Sequence, residues 1–335
     1  MELFELTQAL INIESVTGRE KACAEFVRDY LAARKFQVEL QPVAGDRANV
    51  FAFRGTPEVV LSTHLDTVPP FFPAREDAEF IYGRGACDAK GILASQIVAA
   101  ERLLDTGVED VALLFLVGEE ATSDGAREAN LHPRGSRYII NGEPTENKLV
   151  IGTKGMLRVD IRAKGKMAHS GYPHLGESAV EKLLDVLADL RKLPLPQDPL
   201  LGASTLNVGV ISGGRAANVI PDEAGAQVVI RTVEDSAPLR RKLSTLLEGR
   251  CDFTFVRDTP VLRLEKREGF ETAVVAFTTD LPSLTHWGRP FLLGPGSITT
   301  AHTDHECVRK ADLLHAVDLY CRLVCELKAR TDSGF

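Results

Sequence analysis

At 335 residues, with 44% hydrophobic and 26% charged side chains and no low-complexity tract, the chain is long enough for a large core and for two domains. Its formal charge of −8 argues against sequence-independent nucleic-acid binding, which rests on basic surface, and points to a small-molecule partner. No apolar run approaches the ~20 residues that span a bilayer, so no membrane role is expected.

In chain order, Thr17-Gly18-Arg19-Glu20 predicts a capping box opening a helix whose apolar stripe is Ala24, Phe26, Val27, Tyr30 and Leu31. Strands are predicted at 37–43, 49–53 and 59–63, and a helix rich in Ala, Ile and Leu at 91–104. The runs 111–117 and 138–141 are short and apolar enough for buried strands, giving the alternation of an α/β sheet. From about Gly155 the texture changes to period-two strands, as in Met156-Leu157-Arg158-Val159-Asp160-Ile161-Arg162, with further strands at 204–211, 226–233 and 251–256. Two helices, 177–193 and 238–248, interrupt them, which predicts a small α+β two-layer sandwich. After about Leu262 the α/β character returns, with a strand at 291–293 and a last helix at 311–328. The expected architecture is therefore an α/β domain of residues 1–154 plus 263–335 with an α+β domain, 155–262, inserted into it.

The six cysteines (Cys23, Cys87, Cys251, Cys307, Cys321, Cys325) lack C-x-x-C spacing and no secretory leader precedes them, so reduced thiols in a cytoplasmic protein are expected. Cys321 and Cys325, four apart on the last helix, read as half-buried core thiols. Cys87 is a poor nucleophile candidate, because acids beside it raise rather than lower a thiol pKa.

The chemistry concentrates where strands end. Leu61-Ser62-Thr63-His64-Leu65-Asp66-Thr67 places a histidine and a carboxylate two residues apart, hence on one face, where the carboxylate can orient a metal-binding imidazole. Asp88 follows a Gly83-Arg84-Gly85 turn, Glu119 and Glu120 end the 111–117 run, and Glu143 follows Tyr138-Ile139-Ile140-Asn141-Gly142. Four strand-like runs are thus expected to deliver an acid or histidine at the edge where open α/β sheets place ligands. Any one of these acids could be a helix cap or a solvated loop residue; together with a late histidine they form a nitrogen and oxygen donor set without sulfur. Such a set suits zinc, and also cobalt or manganese. Two ions bridged by one carboxylate would hold a water as hydroxide near neutral pH, and one of the adjacent pair Glu119 and Glu120 could ligate while the other serves as general base.

The segments His64-Leu65-Asp66-Thr67-Val68-Pro69, Gly83-Arg84-Gly85-Ala86-Cys87-Asp88-Ala89-Lys90-Gly91, Gly118-Glu119-Glu120 and Gly142-Glu143-Pro144-Thr145 resemble the dizinc aminoacylase and carboxypeptidase family. That family includes acetylornithine deacetylase, succinyl-diaminopimelate desuccinylase and glutamate carboxypeptidases, and the resemblance spans essentially the whole chain. It implies a mixed-sheet zinc-peptidase catalytic domain with the insert as lid and dimerisation domain, two Zn2+, and a possible homodimer through the lid. It further implies that Asp88 bridges both ions, with His64 and Glu143 on one, Glu120 and a C-terminal histidine on the other, Glu119 as general base and acid, and Asp66 as partner of His64. Of the two late histidines, Gly294-Pro295-Gly296-Ser297 followed by Ala301-His302 and Glu306 fits the family pattern with His302 as ligand and leaves His305 at the rim.

Lys164-Gly165-Lys166-Met167-Ala168-His169-Ser170-Gly171 resembles the family segment whose histidine polarises the scissile carbonyl, often across the dimer, with an edge-strand histidine as the plain alternative for His169. Asn218 and Arg231 match its substrate-binding Asn and Arg, the latter able to fork onto an α-carboxylate unless it is a plain strand arginine. Gly296, Ser297 and Thr279 complete the implied substrate contacts. Phe277-Thr278-Thr279-Asp280 departs from the family by placing a bulky ring where glycine is common, which leaves side-chain selectivity open. His132, His174, His286 and His315 read as structural or solvated. The implied reaction is hydrolysis of an N-acyl amino acid, with acetylornithine first, placing the protein in amino-acid biosynthesis. A desuccinylase, dipeptidase or carboxypeptidase is the alternative within the same chemistry, with a short peptide as substrate in the last two cases. A non-catalytic metal-binding module is the alternative outside it, disfavoured because no ligand is missing.

Overall fold

The three runs Val59–His64, Val111–Leu116 and Tyr138–Asn141 are strands buried at every residue. Continuous apolar sequence of this kind belongs in the middle of a sheet covered on both faces. The structure, a computed structural model, describes residues 1–329. The described residues divide into two units: Met1–Ile151, Leu264–Ala273 and 279–329 form the first, Gly152–Arg263 and Val274–Thr278 the second.

The first unit is built on a six-stranded sheet in the order Gln37–Ala44, Arg47–Phe53, Val111–Leu116, Val59–His64, Tyr138–Asn141, Arg289–Leu292. The first two strands pair antiparallel with each other and the second runs antiparallel to Val111–Leu116, whereas the remaining pairings are parallel. Every strand but Arg47–Phe53 therefore ends at one edge, and the four mutually parallel ones gather there the loops that leave His64, Leu116, Asn141 and Leu292. Helices Lys90–Asp105, Lys310–Lys328 and Leu3–Ile11 pack together on one face. On the other, the fully buried Trp287 stacks its ring edgewise on Phe51, with centroids 5.6 Å apart, and donates its Nε1–H to the Ala129 carbonyl of helix Asp124–Leu131 at 3.0 Å.

The second unit is a two-layer α+β sandwich. Its four-stranded sheet, ordered Thr205–Gly213, Glu223–Thr232, Gly155–Lys164, Asp252–Thr259, is antiparallel throughout. Gly155–Lys164 and Glu223–Thr232 alternate buried with part-exposed residues along their length. Their buried sides, with Val159, Val228 and Ile230, pack against Leu183, Val186, Leu239 and Leu243 of helices Ala179–Leu190 and Ala237–Leu247. Each fully buried aliphatic side chain there contributes about 1.5–3 kcal/mol.

The α/β fold with an inserted α+β sandwich is as expected, and the local differences have identifiable causes. The second helix is Lys21–Ala32 and makes no side-chain cap with Thr17. Thr17 instead donates its hydroxyl to Asp66 Oδ2 at 2.7 Å, and Glu20 is buried against Arg47, so long-range partners claimed both residues of the expected capping box. The helix expected over 177–193 is Ala179–Leu190, because Ser178 caps it by accepting the Glu181 N–H at 3.2 Å, while Glu177 bridges to Lys166. Asp88 does not end a strand of the main sheet. It lies in the turn between the short strand Phe80–Tyr82, part of a separate three-stranded sheet, and helix Lys90–Asp105.

Candidate metal centre

His64 is the last residue of its strand and 1% exposed. Its Nδ1 lies 2.9 Å from the Asp66 carbonyl oxygen and 3.5 Å from Asp66 Oδ1, which leaves Nε2 facing Asp88 Oδ1 at 3.0 Å and Glu143 Oε2 at 4.0 Å. Asp66 also accepts the backbone N–H groups of Glu119 at 3.1 Å and Glu120 at 3.2 Å. Burial would raise its carboxyl pKa, but the contacts with His64 and Thr17 and the Glu120 N–H together hold it below the usual value.

Asp88 turns its second oxygen, Oδ2, toward His302 Nε2 at 3.4 Å, and that same nitrogen sits 2.9 Å from Glu120 Oε1. Two groups of three converge: His64, Asp88 and Glu143, and Asp88, Glu120 and His302, each with one donor atom per residue within 4.8 Å of the others. Asp88 is common to both. His302 is 48% exposed and has a left-handed backbone, φ +62°, which turns its ring from the strand-end loop toward Glu120. His305 lies outside both groups.

The electrostatics call for cations. Asp88 and Glu143 are buried and Glu120 nearly so, and among the described residues their ion-pair partners are the two histidines. Burial raises the carboxyl pKa of Glu143 and Glu120. Glu143 Oε1 is buried with no hydrogen-bond partner, as expected of an atom that waits for a ligand. Two imidazoles and three carboxylates without sulfur fit a pair of Zn2+, Co2+ or Mn2+ ions.

Glu119 belongs to neither group, although its backbone is pinned by Asp66. Burial first, and the carboxylate of Asp280 second, push its pKa well above the ordinary value. Asp280, 1% exposed, was not anticipated as part of this cluster; its only sequence signal is that it follows Thr279 in the atypical 277–280 loop. Thr279 is buried, and its hydroxyl accepts the Leu281 N–H at 3.2 Å, so it shapes that turn. Ser297 donates its hydroxyl to Glu146 Oε1 at 3.0 Å, and Gly296, at φ +82°, leaves no room for a side chain beside Cys87. Burial and then Asp88 push the Cys87 thiol far up, which keeps it from acting as a nucleophile.

The remaining candidates lie in the second unit. His169 pairs with Val219 on a two-stranded ribbon, and the adjacent Asn218 carbonyl accepts the Ser170 N–H at 3.0 Å, so the two candidates are neighbours. His169 Nδ1 accepts the Gly171 N–H at 3.0 Å, which assigns the ring proton of the neutral imidazole to Nε2. Arg231 is the penultimate residue of the strand Glu223–Thr232; its Nη1 is buried without a partner, and burial, then Arg257, lowers its pKa. His132 pairs with Glu128 and His286 with the Asn130 carbonyl, while His174 packs against Tyr172 and His315 is on the surface, as expected of structural or solvated histidines.

Comparison with known proteins gives a consistent picture. Residues 151–250 match the peptidase dimerisation domain. The chain is 40% identical to a peptidase M20 domain-containing protein of Schizosaccharomyces pombe, over 96% of this chain and 84% of that one. It is 39% identical to a probable carboxypeptidase of Aspergillus clavatus, over 98% and 83% respectively. Among solved structures, a tripeptidase of Staphylococcus aureus superposes with a TM-score of 0.79 at 20% identity, covering 97% of this chain and 96% of that one. An M20 family metallo-carboxypeptidase of Sulfolobus solfataricus gives 0.77 at 17% identity, with coverage of 97% and 98%.

Proposed function

This chain belongs to the M20 peptidase family, and we propose that it is a two-metal hydrolase that cleaves the amide bond preceding a free α-carboxylate, releasing an amino acid from a short peptide or an N-acyl amino acid. The observation that carries this reading is the sharing of Asp88 between two ligand triads with Glu119 beside them and outside both. Bound ions, zinc in the first instance, supply Lewis acidity that polarises the scissile carbonyl and acidifies water.

The protein's own groups do the rest. Glu119 takes a proton from the attacking water and delivers it to the leaving nitrogen, so that one carboxylate serves as base and then as acid. A carboxyl raised by burial and by Asp280 retains a proton readily enough to make that second transfer. Asp66 holds the imidazole of His64 and the Glu119–Glu120 backbone in one network, fixing ligand and base relative to each other. His169, with its proton on Nε2, is suited to donate to the developing oxyanion. The unpartnered Nη1 of Arg231 is suited to grip a substrate carboxylate, with Asn218 as a further candidate contact in the same unit; Gly296, Ser297 and Thr279 are the candidate contacts in the first unit.

Carboxypeptidase action is supported by the relative from Aspergillus clavatus, while the strand end Gly294-Pro295-Gly296-Ser297 with Ala301-His302 supports an acetylornithine deacetylase-like activity as the second reading. The dimerisation-domain match supports a homodimer, and the six free cysteines support a cytoplasmic site of action. Among the described residues no helix is long and apolar enough to cross a membrane. The test is primary-amine release by zinc-loaded protein across dipeptides, tripeptides, acetylornithine, other N-acetyl amino acids and succinyl-diaminopimelate, with a chelated control. Chelator-sensitive release of amino acid from substrates with a free carboxylate, lost when that carboxylate is amidated, is the expected result. Turnover of neither class with metal bound would return the protein to the binding-module reading.

A further inference from the structure

The most heavily hydrogen-bonded carboxylate near the metal centre belongs to none of the residues assigned so far. Glu306 is fully buried, and its Oε1 accepts three backbone N–H groups, from Gly85 at 3.0 Å, Cys87 at 3.1 Å and Asp88 at 3.0 Å. Its Oε2 accepts Arg84 Nη1 at 2.6 Å, and its main-chain carbonyl accepts the Gly83 N–H at 3.1 Å. Five bonds from residues 83–88 thus end on one residue more than two hundred positions away in sequence. Arg84 is anchored in turn, donating Nε–H to the Pro70 carbonyl at 3.1 Å.

Successive N–H groups that converge in a turn form a concavity for an anion. Here the protein fills that concavity with its own side chain, and the turn so held is the one that presents Asp88. Gly83 and Gly85, at φ +142° and +87°, let the backbone close around the carboxylate, and a side chain on Gly85 would meet Thr67 and Lys90. Glu306 also lies four residues beyond His302 on the same segment. One carboxylate therefore holds the shared ligand and the segment that carries its neighbour.

We propose that Glu306 is a positioning residue for the metal centre: it sets the Asp88 turn before any ion arrives and ties the His302 segment to it, so that both ligand groups are organised in the metal-free protein. The proposal rests on the two-ion reading given above. It differs from the ordinary role of a buried ion pair, which would support stability and leave ion binding alone.

Co2+ is the probe, added to chelator-stripped full-length protein and followed by calorimetry and by its visible absorption. Wild type takes up two ions per chain. Glu306→Gln and Glu306→Ala bind the second ion about 10–100-fold more weakly, with an altered Co2+ spectrum, the range seen when outer partners of metal ligands are removed. Val324→Ala, in the core of the last helix, is the stability control; it lowers the Tm and leaves the titration and spectrum unchanged. Both Glu306 variants titrating like wild type, with only a lowered Tm, would overturn the positioning role and leave the two-ion reading intact. Fewer than two ions in wild type would overturn that reading, and the proposal with it. A measurement that needs no variant is hydrogen exchange of residues 83–88 in wild type. Equal protection with and without Co2+ is expected, and a segment that exchanges freely until the ion is added would also overturn the proposal.

Discussion

The Asp66 carboxylate accepts the Glu119 backbone N–H at 3.1 Å, and the same side chain stands 3.5 Å from the His64 ring. The residue that orients a metal-binding imidazole thus also fixes the candidate base. Asp66→Ala is expected to weaken Zn2+ binding at the His64 group and to lower kcat, each by about 10–100-fold, with KM changed less. Chelator-buffered zinc titration alongside steady-state kinetics checks this. A variant with normal kcat and normal zinc affinity would remove Asp66 from the mechanism.

Protons and metal compete at His302. The carboxylates of Asp88 and Glu120 raise its pKa to about 10 in the metal-free protein, and those of Asp66 and Asp88, against burial, raise that of His64 as well. His302 is then protonated at pH 7, and an ion must displace that proton to bind. Metal affinity therefore falls as pH is lowered and rises toward pH 10, with release of protons at neutral pH. Calorimetry in two buffers of different ionisation enthalpy counts them. Binding without proton release would contradict the assignment of His302 as a ligand.

Arg47 forks between Glu20 at 2.7 Å and Asp124 at 2.6 Å, and the Glu20 side chain is wholly buried. Arg47→Met strands a buried charge, so a loss of about 3–5 kcal/mol in urea unfolding is expected, with most of it recovered in the Arg47→Met, Glu20→Gln double variant. A loss below about 1 kcal/mol would place this network among ordinary surface pairs.

Whether His169 serves its own site or that of a partner copy is decided by mixing variants, with action on the partner's site as the case to test. Co-expressed His169→Ala and Glu119→Gln chains should then regain activity in mixed dimers, where one site receives both intact groups. Random pairing of equal amounts gives roughly a quarter of wild-type turnover. No recovery would assign His169 to its own chain or to a structural role.

The legible parts of the chain were those with a local signature. The apolar runs ending at His64, Leu116 and Asn141 read directly as buried strands, and the candidate ligands His64, Glu120 and Glu143 stand out because they lie at or just past the ends of such runs, whereas Asp88 and His302 rest on the family-like segments that contain them. The helix Leu3–Ile11 was not identified, and the capping-box reading of Thr17 failed because its hydroxyl bonds to Asp66, forty-nine residues away. Glu306 was seen only as a marker for His302, and Asp280 only as part of an unusual loop. A buried carboxylate and a solvated loop acid look alike in a single sequence; only the folded backbone distinguishes them, by bringing Gly85, Cys87 and Asp88 onto one oxygen. The return of residues 274–278 to the second unit was missed too, since the apolar run Val274-Val275-Ala276-Phe277 does not itself say which unit it joins.

The central claim is that two ions share Asp88 while Glu119 moves the proton, and Glu119→Gln separates these two parts. Metal content and turnover should be measured on the same preparation of this variant, on a substrate that the wild type cleaves. The account predicts two ions per chain, as in wild type, with kcat lowered by about 10²–10⁴-fold. Near-normal turnover with both ions bound would contradict it.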